Sequence, residues 1–578
     1  MHACLECGVD PAPFHKAVST AVIIDVLLMR WMSDPGAMSA NHVLEVPDAA
    51  KGIVDDNDRT AAVKETFMPS KGLNGGHQRA CRDAYLCLHM QRTLLPKLVA
   101  NHLWKPLKLA EIPVVSVLSK IEHTGVPFSD NRLDEMADLV QKRLRKLQSK
   151  VDELLAPAAQ GRRASIKISE RLALSEKLFR SISDGGLGLP PPELKTKAAQ
   201  RTLQFPTNKE ALQEVRQKLR KGFDEKSVAE RGRIEKHCVL LDAVSEHRSL
   251  SKLLENLQSL PQFAIKIPGL GRRLVTNFLQ TSSKTGRIMT DEPNLQCLQK
   301  ETHFQLSQSV VGVGGGDGTP KDHEIALRNC IEARQGWKIL AIDWSQIELR
   351  IMAHFTQDKT LLDCFRGGGD FFRLLASAWK DVDPAAVNQR GRNQVKTMAY
   401  GLVYGMGNTA LARKMNVEHD EAEVLRSELE ARLGGYKEWK KTALASCKKY
   451  GYVETLGGRK RFFDFHNKSE DEVARNEREA INTVFQGSAA DVLKATMLTL
   501  DRELVHEGLA EDCLLVLEVH DELVFEVREQ VLPKAADLTS KVMREAAKML
   551  RGVDLDVKIM VGRSWGDLQS FEGPFSAV

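Results

Sequence analysis

The stretch Lys338–Arg350, KILAIDWSQIELR, decides how the rest of this chain is read. Lys338 to Ile342 is a short, mostly apolar run of the kind that forms a buried strand, and it delivers Asp343 to the strand end, just before a turn-prone Ser345. Taken alone, an Asp-x-Ser also reads as a helix cap. A second carboxylate far downstream shifts the balance. In Leu514–Val527, LLVLEVHDELVFEV, two apolar runs flank His520-Asp521-Glu522, the pattern of strand, tight turn and strand with Asp521 at the tip. Two such carboxylates on neighbouring strands form a donor set for a pair of Mg²⁺ ions about 4 Å apart, the arrangement used for in-line phosphoryl transfer.

Between them lies Arg392–Gly407, RNQVKTMAYGLVYGMG. Arg392, Lys396 and Tyr400 are four residues apart, so on a helix they share one face, two cations followed by a ring. That face suits a triphosphate and a stacked base; a solvated basic stripe is the commoner fate of such spacing seen alone. Gly405 and Gly407 are placed to end the helix.

Together and in this order, the three stretches resemble the polymerase motifs of the family A DNA polymerases, the group of bacterial DNA polymerase I, with a closer likeness to its theta and nu branch. The resemblance implies an α+β right-hand polymerase fold with palm, fingers and thumb, preceded by a remnant exonuclease-like region. It makes Asp343 and Asp521 the metal-binding catalytic aspartates and Glu522 an accessory catalytic acid. Glu348 matches the steric gate against a ribose 2′-hydroxyl, and Arg392 and Lys396 the triphosphate cations. Tyr400 matches the ring that packs on the incoming nucleotide, Tyr404 the ring at the template side, and Gln346 and His520 polar positions at the active site and primer terminus. Thr285-Gly-Arg287, with Pro293–Gln296 beyond it, makes Arg287 a primer or minor-groove contact. In Glu477–Lys494, EREAINTVFQGSAADVLK, the residues Arg478, Asn482 and Gln486 share a helix face that the family turns to the DNA minor groove.

The expected division is 1–108 degenerate exonuclease-like region, 109–127 approach to the palm, 128–255 thumb, 256–350 palm with a Gly-rich insertion near 306–320, 351–495 fingers and 496–578 palm. In the first segment Ala80–Leu94 is helix-like and Asp83 matches an exonuclease metal ligand. No Asp-x-Glu at a strand end accompanies it, so proofreading is not expected, since a two-metal exonuclease needs several carboxylates together. The thumb begins with an amphipathic helix whose apolar Leu133, Met136, Val140, Leu144, Leu147 and Val151 oppose Lys142, Arg143, Arg145, Lys146 and Lys150, a face usable on DNA phosphates. Phe205–Leu219 and Cys238–Leu257 read as further helices, and the alternation on both sides of Ile267–Arg272 reads as a hairpin and not a helix-hairpin-helix. Gly457-Gly-Arg-Lys-Arg461 reads as a turn with three cations suited to phosphate.

A chain of 578 residues divides into several subdomains, and its net charge of +5 requires any nucleic-acid surface to come from local clustering. The ten cysteines form no framework, as in a reducing compartment. Cys4-x-x-Cys7, with His2 and His15 nearby, lacks the second pair that a structural zinc site needs. No apolar run is long enough to span a bilayer, and no membrane partner is expected. The resemblance implies primer-template DNA and deoxynucleoside triphosphates as substrates, two Mg²⁺ ions with Mn²⁺ as a substitute, and a monomer. No helicase motif is present, so the chain reads as part of a longer protein or a stand-alone enzyme, with a helicase or other repair proteins as partners, in the nucleus or alternatively the mitochondrion. Phe372 stands where bacterial relatives have His, Trp344 replaces a common Tyr, and Glu518 replaces a usual Gln near the primer terminus. The lack of proofreading and the Gly-rich insertion favour repair or lesion bypass. A replicative or organellar enzyme of the polymerase I type, a single-subunit RNA polymerase and an inactive DNA-binding scaffold remain the alternatives; Glu348 speaks against the second, and the full set Asp343, Asp521, Arg392 and Lys396 against the third.

Overall fold

The structure is a computed structural model that describes residues 32, 92, 94–155, 167–193, 205–298, 302–306 and 321–572. The expectations for Cys4, Cys7 and Asp83 lie outside these residues, as does the Gly-rich stretch beyond Leu306. Among the described residues no helix is long and apolar enough to cross a membrane.

Helix α1 (Asp130–Leu155) buries Leu133, Met136, Val140, Leu147 and Val151, the stripe read from the sequence. It packs along α2 (Val228–Ser259), which opens on a capping box: Glu230 N donates to Ser227 Oγ at 3.3 Å and Ser227 N to Glu230 Oε2 at 3.1 Å. One cation of the expected basic face is used inside this pair, since Arg143 donates to both oxygens of Glu246 at 2.7 and 2.9 Å. The helix expected at Phe205–Leu219 begins only at Lys209, because Asn208 caps it by accepting from Ala211 N at 3.0 Å. Ala264–Ile267 and Gly271–Leu274 pair antiparallel, as the alternation required. Strands Thr302–Leu306 and Lys321–Ile325 pair antiparallel on either side of the Gly-rich stretch.

The central sheet is built on β1 (Trp337–Trp344), fully buried at Ile339, Leu340 and Ile342. The chain then runs through α3 (Ile347–Thr356), α4 (Phe371–Lys380), α5 (Gln389–Val403), α6 (Asn408–Met415) and the 37-residue α7 (Glu470–His506) before returning as β2 (Cys513–Val519), β3 (Glu522–Arg528), β4 (Val557–Gly562) and β5 (Leu568–Ser570). The strand order is β2-β3-β1-β4-β5, antiparallel throughout. The register sets Glu522 of β3 and Lys558 of β4 on either side of Asp343. Helix Leu532–Glu545 backs the sheet, and Trp344, buried beside it, donates Nε1–H to Met543 O at 2.9 Å. The Trp at this position is therefore a packing residue.

A fully buried ion pair ties the hairpin before the sheet to the sheet itself. Arg273 donates to Glu526 Oε2 at 2.7 Å and to the carbonyls of Thr124 and Gly125 at 2.9 and 3.0 Å. Removing one partner of such a pair strands the other charge in a medium that cannot solvate it. Arg273→Met is expected to cost about 3–5 kcal/mol, read as a fall in the urea midpoint, with little change for the surface variant Arg132→Met.

Candidate active site

Two strand ends create the site. Asp343 is the penultimate residue of β1, and Asp521 sits in the two-residue turn between β2 and β3. The turn closes because His520 adopts a left-handed backbone, φ +64°, and because Trp344 N donates to Asp521 O at 3.2 Å. The same bond ties the turn to the end of β1, so both aspartates sit at one end of the sheet.

The electrostatics follow from that placement. Desolvation, then the carboxylates of Glu348 and Asp343, push the Asp521 carboxyl up to about 8. A divalent cation bound beside these carboxylates would reverse that shift, because it would be the largest local charge. Among the described residues no group of three or more His, Cys, Asp or Glu side chains forms a protein-only metal cage. Two carboxylates completed by substrate oxygens are the usual environment of Mg²⁺ in phosphoryl-transfer sites, so this donor set fits.

Glu348, in the first turn of α3, is almost fully buried. Arg287 donates Nη2–H to its Oε1, and Tyr404 donates its hydroxyl to the same oxygen at 3.3 Å. Arg287, expected as a DNA contact, is thus ion-paired to the predicted steric gate. Gln346, directly before the helix, takes φ +55° and caps it through its backbone. A cavity of about 350 Å³ opens here, walled by Arg287, Glu348, Lys396, Tyr400, His520 and Asp521.

The far wall is α5. Tyr400 and Tyr404 stack, with centroids 5.8 Å apart and planes 12° from parallel, and Phe372 of α4 lies 5.9 Å from Tyr400. Arg392 and Lys396 both stand over Phe372, at 5.6 and 5.7 Å. Arg392 is also held by Asp370, Nε to Oδ2 at 2.5 Å. The helix ends after Val403, Gly405 takes φ +61°, and Met406 N bonds back to Gly401 O.

Of the expected DNA-facing residues on α7, Arg478 is exposed and Asn482 and Gln486 are half-buried; Asn482 Oδ1 is buried without a hydrogen-bond partner. Glu522 is engaged beneath the site, accepting from Trp565 Nε1 at 2.7 Å with Arg328 Nη1 3.8 Å from its other oxygen. Arg328 in turn stacks on Trp565 at 3.7 Å.

Sequence reasoning missed Lys414, which reaches the same cavity from α6. It also missed Asp370 as the partner of Arg392. The Asp370 signal was present as an N-cap before α4, where it accepts from Arg373 N at 3.1 Å, but nothing in the spacing links it to a helix twenty residues later. For Lys414 the reversal at Gly405 and Gly407 was the only hint.

Glu518 departs from its expected place. It is not at a DNA-facing surface but buried beneath the turn, accepting from Gln296 Nε2 at 3.0 Å, since β2 pairs Glu518 with Leu523 on its inner face. Burial lifts its carboxyl to about 8 against the pull of Arg287, the His520 N–H, Gln296 and Lys494. A folded carboxyl that keeps its proton above the unfolded range contributes stability that is present at low pH and lost as pH rises through about 8. Glu518→Gln is accordingly expected to raise the melting temperature at about pH 9, with the gain vanishing towards about pH 5.

Residues 130–567 match the family described as DNA polymerase family A. DNA polymerase I of Chloroflexus aurantiacus is 29% identical over 496 residues, 85% of this chain and 46% of that protein. DNA polymerase theta of Drosophila melanogaster is 34% identical over 296 residues, 50% of this chain and 14% of its own length. The chain therefore spans less than half the length of these two relatives. The POL domain of Pol1 from M. smegmatis, solved in complex with DNA primer-template and dNTP, superposes with a TM-score of 0.70 at 25% identity, covering 94% of this chain and 82% of that one. The mixed helix-and-strand architecture is that of a right-hand polymerase. A match that runs through both carboxylate strands, the Arg392 helix and α7 has one reading: this chain belongs to DNA polymerase family A.

Proposed function

We propose that the chain is a template-directed DNA polymerase that adds deoxynucleotides to a primer 3′-hydroxyl. The observation that carries this is the convergence of Asp521 on one cavity with Glu348, Arg287, Lys396 and Tyr400, beside the end of β1 where the Asp521 turn is tied to the residue after Asp343. The M. smegmatis neighbour, held with primer-template and dNTP, supports the same substrates here. In this reading 128–255 is the thumb, 351–495 the fingers, and 256–350 with 496–578 the palm.

Asp343 and Asp521 would hold the divalent cations, Mg²⁺ by the hardness of carboxylate donors. Held there, such cations would supply activation of the primer hydroxyl and neutralisation of the leaving pyrophosphate. The chain's own groups do the rest. The primer 3′-hydroxyl gives its proton to solvent, its oxygen bonds to the α-phosphorus as the bond from that phosphorus to the α,β-bridging oxygen breaks and pyrophosphate leaves, and Arg392 and Lys396 carry the negative charge of the departing phosphates. Arg392 must exchange or share its bond to Asp370 to do so. Tyr400 packs on the nucleotide, and Tyr404, now bonded to Glu348, lies where the template base approaches. Glu348, fixed by Arg287 and Tyr404, fills the space of a 2′-hydroxyl. His520, Arg478, Asn482 and Gln486 line the primer-template path.

A role in repair or lesion bypass, without proofreading, is the reading supported by similarity to DNA polymerase theta and by Phe372 at the phosphate cations. Similarity to DNA polymerase I supports the replicative or organellar alternative. Primer extension with Mg²⁺ on an undamaged template and on one bearing an abasic site separates them. Extension on both is expected; extension on the undamaged strand alone would favour replication or gap filling. Asp343→Ala and Asp521→Ala should each abolish extension while binding primer-template normally, and synthesis by either variant would defeat the proposal. Glu348→Ala should raise ribonucleotide incorporation more than about tenfold, measured by alkaline cleavage of the product.

A further inference from the structure

The turn Gly457–Arg461 does not present its cations to phosphate. Arg459 and Arg461 are buried, and only Lys460 stays partly open, over the Tyr452 ring. Arg461 is taken up by Thr483 Oγ1 at 2.8 Å and by Glu479, both on α7. Arg459 has a more consequential set of partners.

Its Nε donates to Asp491 Oδ1 at 2.5 Å, and its Nη2 donates to two carbonyls, Gly487 O at 2.7 Å and Thr285 O at 3.0 Å. Glu111 Oε1 lies 3.4 Å from Nε, and Lys494 Nζ donates to both Glu111 oxygens at 2.9 and 2.7 Å. Asp491 Oδ2 accepts from Gly457 N at 2.8 Å, closing the node onto its own turn. Glu111 and Lys494 are wholly buried, and Asp491 nearly so. Burial raises the Glu111 carboxyl, but Lys494 and Arg459 outweigh it and hold the group below its usual range.

The contact with Thr285 is close. Gly286 takes φ +87°, and a Cβ built on it would overlap the Arg459 guanidinium. The next residue is Arg287, which leaves this seat to reach Glu348. A buried ionic node is a poor source of stability compared with apolar packing of the same volume. What apolar side chains cannot supply is a planar fork that fixes two carbonyls from different segments, and a lysine, a point donor on a flexible stem, cannot supply it either.

We propose that Arg459 is a positioning residue for the nucleotide site: by seating Thr285 and Gly286 against α7 it aims Arg287 at Glu348, and so sets sugar discrimination from outside the cavity. This rests on the polymerase reading above. No atom of Arg459 needs to touch the substrate.

The test uses the whole chain in single-nucleotide insertion with a deoxynucleotide and the matching ribonucleotide, read as kcat and KM. Arg459→Lys is expected to lower kcat for the deoxynucleotide and to raise the ribonucleotide-to-deoxynucleotide ratio about tenfold, with primer-template affinity unchanged. Gly286→Ala, which disturbs the same contact from the turn side, should reproduce this, and it carries the test should Arg459→Lys not fold. Placed on Arg287→Ala, neither change should shift the ratio more than about twofold, because the group being aimed is gone. Arg461→Ala, on the same turn but hydrogen-bonded to α7 and standing over Phe463 without reaching Thr285, should lower the melting temperature and leave the ratio alone. Wild-type ratios in both Arg459→Lys and Gly286→Ala, with a lower melting temperature, would reduce the node to a structural role and overturn the proposal. Absence of extension by the wild-type chain would remove the polymerase reading, and this inference with it.

Discussion

The pairing of β1 between β3 and β4 is the constraint on which the site depends. It sets Asp343 opposite Glu522 and Lys558, and it lets the backbone of Trp344 tie down the Asp521 turn. A slip of one residue would turn Asp343 to the opposite face and send Ile342, now fully buried, to the site. The buried faces of β1 and β3 make that slip prohibitive, so hydrophobic burial fixes where the carboxylates meet.

Charges within the site are largely paired inside the protein. Arg287 is held by Glu348, and Arg392 by Asp370. These pairs keep a cation-rich surface ordered when no polyanion is near. In the proposed reaction, phosphate would have to replace or join a carboxylate that already orients the Arg392 guanidinium. Glu522, directly opposite Asp343 in the register, follows the same economy, fixed by Trp565 and Arg328. The Asp343–Asp521 end of the sheet differs, since there desolvation and the neighbouring carboxylates of Glu348 and Asp343 push the Asp521 carboxyl up against the pull of Arg287.

Residues remote in sequence bear on this geometry. The node around Arg459 joins the helical segment Leu107–Glu111, the Thr285 turn, the Gly457 turn and α7. Arg273 and Glu526 do similar work at the base of the sheet. Both are buried ionic links between segments that would otherwise meet through non-directional apolar contacts, and directionality is what they add.

Much of the fold and site was legible because it is local. Strand, tight turn and strand around His520 and Asp521, the shared face of Arg392, Lys396 and Tyr400, the amphipathic α1 and the hairpin at Ile267–Arg272 all follow from periodicity and turn chemistry within a few residues. The long matching strings around Asp343 and Asp521 carried the family. The sequence could not determine which cations are free to meet a ligand. Arg459 and Arg461 looked like phosphate contacts and are internal, Arg287 pairs with Glu348, Glu518 points inward to Gln296, and Lys414 enters the cavity unannounced. Local spacing sets which face of a helix or strand a side chain occupies, whereas its partner is chosen when segments dozens or hundreds of residues apart pack together. For a buried charge that choice is compulsory, because an unpaired one would be too costly to keep, and only the tertiary structure decides who the partner is.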